Sequence, residues 1–168
     1  DTAQYNLAVG TTALDAVTAG DFNVAVGYDA LTSNTTGSNN TASGLQALYS
    51  NISGIQNTAS GLEALYSNIG GSYNTASGIQ ALFSNTEGNR NTAIGSFGLA
   101  DNTTGNYNTA IGYNSDVGSG DLTNATAVGN GAIVDASNTV QLGNMSVTNV
   151  KTSGSVTAGA ITIPNTDG

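Results

Sequence analysis

The sequence contains neither cysteine nor histidine. A disulfide framework, a thiolate nucleophile and an imidazole base are therefore excluded, and the usual zinc ligands are missing. Basic residues are nearly absent as well: Arg90 and Lys151 stand against eleven acids, for a formal charge of −9. Such a chain has no surface that neutralises a run of phosphates, so no nucleic-acid partner is expected. Apolar runs stop at about four residues, far short of the ~20 that a spanning helix needs, and no membrane contact is expected within this segment. No basic stretch followed by an apolar one opens the chain, so any secretion signal is expected to lie outside it. Charged residues amount to 8% of the 168, against roughly 25% in an ordinary globular domain. Acidic disordered chains are highly charged, so disorder is disfavoured too.

What the sequence does hold is glycine, 23 residues against a single proline, set in a strict repeat. Asn recurs at 6, 23, 40, 57, 74, 91 and 108, always 17 residues apart. The residues after it repeat in turn, as in Asn40-Thr41-Ala42-Ser43-Gly44, Asn57-Thr58-Ala59-Ser60-Gly61 and Asn91-Thr92-Ala93-Ile94-Gly95. A second segment follows each of these glycines, for example Leu45-Gln46-Ala47-Leu48-Tyr49-Ser50-Asn51, and a turn glycine at 20, 37, 54, 71, 88 or 105 closes the unit. Internal repetition at a fixed short period signals stacked units that bury a shared core.

A fully extended 17-residue unit would reach roughly 56 Å. The glycine columns and the Asn/Ser/Thr turns require it to fold back instead, which predicts two short strands and two turns per unit. A helix is excluded by the mid-unit glycine, at about 1 kcal/mol, and by the Asn/Thr content. Stacked about 4.8 Å apart, the units pair strand on strand and like positions form ladders. The expected architecture is all-β, a parallel β-solenoid flattened into a roll. Leu14, Leu31, Leu48, Leu65, Leu82 and Leu99 form one aliphatic column; Val9, Val26, Ile94 and Ile111 are assigned to another. Strict alternation in Leu45-Gln46-Ala47-Leu48-Tyr49 puts Leu45, Ala47 and Tyr49 on one face and Leu48 on the other. Both faces then carry apolar surface, and a thin roll hides only one of them. Covering the other with further copies of the chain removes a long exposed stripe.

The period shortens to 14 between Asn124-Ala125-Thr126-Ala127-Val128-Gly129 and Asn138-Thr139-Val140-Gln141-Leu142-Gly143. Beyond Gly143, Met145–Lys151 and Ser155–Ile161 read as extended and no longer as coils. The expected division is a roll over 1–137 and a neck-like extended segment over 138–168 that leads on to a following domain or stalk.

The Asn-x-x-Ala-Ile/Val-Gly core, together with the 14-residue step over 124–143, resembles the head repeats of trimeric autotransporter adhesins. Asn138-Thr139-Val140-Gln141-Leu142-Gly143 followed by Val147-Thr148-Asn149-Val150 looks like the start of that family's neck. Similar 17-residue coils occur in phage and bacterial fibre proteins. The resemblance implies a left-handed roll and chooses a homotrimer, intertwined or side by side, over a dimer. The coil length departs from the adhesin heads, so no ligand site is carried across.

Candidate sites follow from the columns. Tyr73 and Tyr107, with Tyr5 and Phe22, precede the repeat Asn and fall in turns, where exposed rings suit a glycan ligand. Asn57, Asn74 and Asn91 could offer amides to such a ligand, or instead cap turns and bond one another along the stack. Tyr49, Tyr66 and Phe83 could form a platform for sugar rings or could seal contacts between chains. The hydroxyl column Thr41, Thr58, Thr75, Thr92 and Thr109 suggests an ice-ordering surface; its replacement by Leu7 and Val24 suggests an inward or interfacial face. Asp116-Val117-Gly118-Ser119-Gly120-Asp121 gathers oxygens of the kind that hard cations favour, but without the spacing of a known loop. Asn34-Thr35-Thr36 and Asn102-Thr103-Thr104 match a glycosylation acceptor pattern. The acids lie mostly singly, and Glu63 shares its column with Gln46 and Gln80, so no enzyme activity, cofactor or metal is expected. The function expected is attachment: a secreted or cell-surface trimeric fibre binding a glycan or matrix protein through many weak contacts. Alternatives are the shaft or receptor-binding segment of a phage tail or contractile-injection fibre, a structural spacer, and an ice-binding surface.

Overall fold

A computed structural model of the protein describes residues 3–151. Among the described residues there is no helix, and the chain winds as a parallel β-solenoid with about 17 residues per coil. Nine short strands make one parallel sheet. In order these are β1 (Leu7–Val9), β2 (Val24–Val26), β3 (Thr41–Ser43), β4 (Thr58–Ser60), β5 (Thr75–Ser77), β6 (Thr92–Ile94), β7 (Thr109–Ile111), β9 (Thr126–Val128) and β11 (Val140–Leu142). Each pairs with like positions one coil on, Ala42 with Ala59 and Ala59 with Ala76. The last step joins Thr126 to Val140, the 14-residue interval of the sequence. Nine strands at about 4.8 Å make the stack roughly 38 Å tall.

The core is thin. Each central coil contributes the middle residue of its strand, such as Ala59, together with an Ala–Leu pair such as Ala64 and Leu65, all fully buried. Leu31, Leu48, Leu65, Leu82 and Leu99 are the largest side chains inside, and they form the expected column. A three-residue strand turns only its middle side chain inward. Val9, Val26, Ile94 and Ile111, the other aliphatic column, therefore point outward. The Thr column lies on the same outer face, so within a single chain it is not inward.

The second segment of most coils also departs from expectation. It is a succession of turns rather than a strand, because alternate residues adopt left-handed backbone: Gln46 and Leu48 at φ 56° and 53°, Glu63 and Leu65 at 55° and 53°. Left-handed residues break the two-residue alternation of a strand. Ala47 and Leu48 are consequently both buried and Leu45 is exposed, against the grouping of Leu45, Ala47 and Tyr49 on one face. The backbone nonetheless bonds from coil to coil: the Leu48 N–H donates to the Ala64 carbonyl at 3.0 Å, and the Gln46 N–H to Tyr28 at 2.9 Å. Left-handed φ costs a leucine about 1–2 kcal/mol, and full burial of the side chain returns roughly 1.5–3 kcal/mol.

Near the end of the stack the pattern reverts. Asp116 and Ile133 fall in the leucine column but lack positive φ, and here the segment forms true strands, β8 (Asp116–Val117) and β10 (Ile133–Val134), paired in parallel. Alternation resumes, and Val117 and Val134 fill the core in place of leucine. The strand ladder runs on through Leu142, while 144–151 follow without strand pairing. The expected segment Ser155–Ile161 lies outside the described residues.

Glycine is required where coils approach most closely. Gly78 has φ +143°, and a Cβ on it would stand 2.5 Å from the carbonyl carbon of Gly95 in the next coil. Gly71, in the closing turn, would press a Cβ to within 2.5 Å of the Gly88 carbonyl oxygen.

Candidate functional site

Two ladders of buried asparagine hold the turns. Asn57 donates its amide to the Gly71 carbonyl at 2.8 Å, while its side-chain oxygen accepts from the Asn74 N–H at 2.9 Å. Asn74 and Asn91 repeat this pattern one and two coils on. The three are essentially inaccessible, and both ends of each amide are engaged inside the rod. Burial leaves no part of them accessible to a ligand. Ala125 ends the ladder, its N–H capped by Asn108 at 2.9 Å.

The second ladder, Asn34, Asn51, Asn68, Asn85 and Asn102, is a further feature that pattern reading passed over. Each amide from Asn51 onward donates to the side-chain oxygen of the preceding rung at 2.7–2.8 Å and also to a turn glycine carbonyl three residues on. Its 17-residue spacing was visible, but such a residue type in a turn does not announce burial. Asn34 and Asn102, the acceptor positions of the two glycosylation patterns, are fully buried members of this ladder. Among the described residues no buried side-chain polar atom is left unpaired.

The aromatic columns stand outside the core. Tyr49, Tyr66 and Phe83 are half-buried and stack along the rod, with centroids 5.0 and 5.3 Å apart and planes within 11° of parallel. Their faces meet one another, so the column presents ring edges rather than a flat platform. The turn column preceding the repeat Asn is fully at the surface. Tyr5 and Phe22 stack at 5.0 Å there. Further along, Arg90 lies between two rings, 5.4 Å from the centroid of Tyr73 and 5.3 Å from that of Tyr107, and its Nη1 donates to the Tyr107 hydroxyl at 2.5 Å. Each of these turn residues has φ near +60°. Tyr73 and Tyr107 are thus exposed where the sequence placed them, and the structure joins them through Arg90, which the sequence reading had not connected to them.

The carboxylates do not converge. Asp116 is buried, and its oxygens accept from the N–H groups of Val117 at 2.8 Å and Asp101 at 3.2 Å. Burial pushes its pKa up to about 6, against the lowering effect of those backbone bonds, and the nearby Asp101 raises it further. Asp121 is exposed and accepts from Ser119. Glu63 accepts from Gln80 Nε2 at 2.6 Å in a partly exposed polar column. Among the described residues no group of three or more acidic side chains is placed to hold a metal ion.

The most extended surface feature is apolar. At one corner of the coil, two positions flank the column glycine, and one or the other is aliphatic in nearly every coil. Val9 and Val26 lie before the glycine, Leu45, Leu62 and Ile79 after it where Ser43, Ser60 and Ser77 precede it, and Ile94, Ile111 and Leu142 before it again. All are 39–54% exposed. Where one column turns to serine, the other turns aliphatic, so nearly every coil carries an exposed aliphatic residue at this corner. No family model matches this chain, and no curated protein matches it significantly.

Proposed function

We propose that this chain is the rod-like segment of a homotrimeric attachment fibre displayed outside a cell or particle. The observation that carries this reading is the exposed aliphatic residue that recurs at this corner in nearly every coil. Monomeric proteins seldom leave a contiguous apolar patch beyond a few hundred Å² in water, and this one recurs coil after coil along a stack roughly 38 Å tall. A repeated stripe on a rod is most simply covered by the same stripe on parallel copies closed around a common axis. Three copies about an axis are favoured by the resemblance to adhesin head repeats. The outer Thr/Ser face borders the stripe and supplies hydroxyl groups at its margin.

A rod of identical rungs suits attachment because weak contacts repeat at fixed spacing and combine by avidity. Sedimentation equilibrium at micromolar concentration tests the assembly: three times 16.6 kDa is expected. A species of 16.6 kDa that persists across the concentration range refutes it. Ile94→Asp with Ile111→Asp should dissociate the trimer while leaving the coil spectrum of the monomer intact, because both side chains point outward.

A further inference from the structure

We propose that the Tyr73–Arg90–Tyr107 stack is a binding site for the carboxylate of an acidic saccharide. Arg90 is the only arginine of a chain whose net charge is −9. Among the described residues its guanidinium has no carboxylate partner; its contacts are the two rings and the Tyr107 hydroxyl. Tyr73 and Tyr107 flank the guanidinium from one coil on either side, and the Tyr107 hydroxyl takes a hydrogen bond from it, so part of the entropy of ordering a long side chain is already lost before a ligand arrives. The guanidinium donors that Tyr107 does not engage make a planar set shaped for a carboxylate. The Tyr107 oxygen accepts from Arg90, which leaves its own proton to donate outward. A cluster made of donors selects an acceptor-rich anion.

The rest of the column favours a sugar over a bare anion. Exposed amides extend the row on both sides, Gln56 one coil before Tyr73 and Asn124 one coil after Tyr107. These positions repeat at the coil rise of about 4.8 Å, close to the length of one pyranose unit in a linear chain. A saccharide lying along the rod would set its carboxylate at Arg90 and its hydroxyls against the flanking amides. The surrounding negative charge disfavours a densely charged polyanion and selects a ligand with isolated carboxylates among neutral units. The inference rests on the attachment reading and names the class of ligand that the fibre would hold.

The test uses methyl β-D-glucuronide, with methyl β-D-glucoside and acetate as controls, added to ¹⁵N-labelled protein. The single arginine gives one Nε–H signal, which reports on Arg90 without assignment ambiguity. A saturable shift of that signal with a Kd of about 1 mM is expected for a ligand this small. The neutral glucoside and acetate should each bind at least about tenfold more weakly, as should the glucuronide to Arg90→Gln followed at the Tyr73 and Tyr107 amides. Tyr107→Phe, which keeps the stack but removes the hydroxyl, should weaken binding to a lesser extent. Equal shifts with the glucoside or acetate overturn the proposal, as does a glucuronide shift that never saturates or that survives in Arg90→Gln with an unchanged melting curve. A monomer that binds the glucuronide sinks the trimer and keeps the site; a trimer that does not bind sinks the site alone.

Discussion

Replacing Asn57 by alanine isolates what the buried amide ladder contributes. The substitution removes the donor to the Gly71 carbonyl and the acceptor for the Asn74 N–H, two bonds of 2.8 and 2.9 Å in a region closed to water. The Asn74 N–H stays buried without a partner, at about 1–3 kcal/mol, while the Gly71 carbonyl keeps its bond from the Asn68 amide at 2.9 Å. The lost second bond to Gly71 and the void left by the amide add smaller terms, so the total is about 2–4 kcal/mol. The natural end of the ladder gives a comparison. At Ala125 the missing amide is tolerated because Asn108 caps its N–H and the stack is near its end. Asn6→Ala, in the first described coil, removes a single pair of bonds at a half-buried position and should cost about 1–2 kcal/mol. Urea unfolding followed by circular dichroism measures both variants. Because coils touch only their neighbours, a broken central rung should also lower the cooperativity of the transition. A loss below about 1 kcal/mol for Asn57→Ala would show that water or a relaxed turn replaces the amide, and would refute the account of the ladder as the frame of the turns.

Other outcomes follow from the same geometry. Leu65→Ala should cost about 2–5 kcal/mol in chemical unfolding, and Leu62→Ser, at the exposed corner, less than about 0.5 kcal/mol in the monomer, while weakening self-association measured by sedimentation. Gly78→Ala should abolish the folded circular dichroism signal, since its Cβ meets the Gly95 backbone and φ is +143°. Asp116 holds its proton more tightly when folded, with a pKa raised from 3.8 to about 6, so the stability it lends is complete below about pH 4 and is lost as pH rises through about 6. That amounts to about 2 kcal/mol after allowing for residual contact with water. Melting temperatures should fall between pH 4 and pH 7, and Asp116→Asn, which keeps a side-chain acceptor but cannot ionise, should flatten the profile.

The legible part of the molecule was its periodicity. Asn40, Asn57 and Asn74 at a 17-residue spacing, with a leucine eight residues after each, gave the coil, the parallel register and the leucine core without coordinates, and Thr126 pairs with Val140 at the shortened step already visible in the chain. Less legible was which side of the coil each column faces. Thr41 and Ser43 flank Ala42, and alternation alone allows either the pair or the alanine to face inward. The Tyr73–Arg90–Tyr107 stack was likewise invisible, because the partners of Arg90 lie 17 residues away on each side and only stacking brings them together.

By itself the sequence determined the repeat, its length and the identity of the rungs, because like residues at a fixed interval can satisfy one another only by stacking. The tertiary structure decided inside from outside. An interior closed by three-residue strands has room for alanine and one leucine per coil. Fitting that leucine takes left-handed backbone at Gln46 and Leu48, a conformation that local preference opposes and that only burial and coil-to-coil hydrogen bonds sustain. That constraint turned Leu45, Val26 and Ile94 outward and so made the corner stripe.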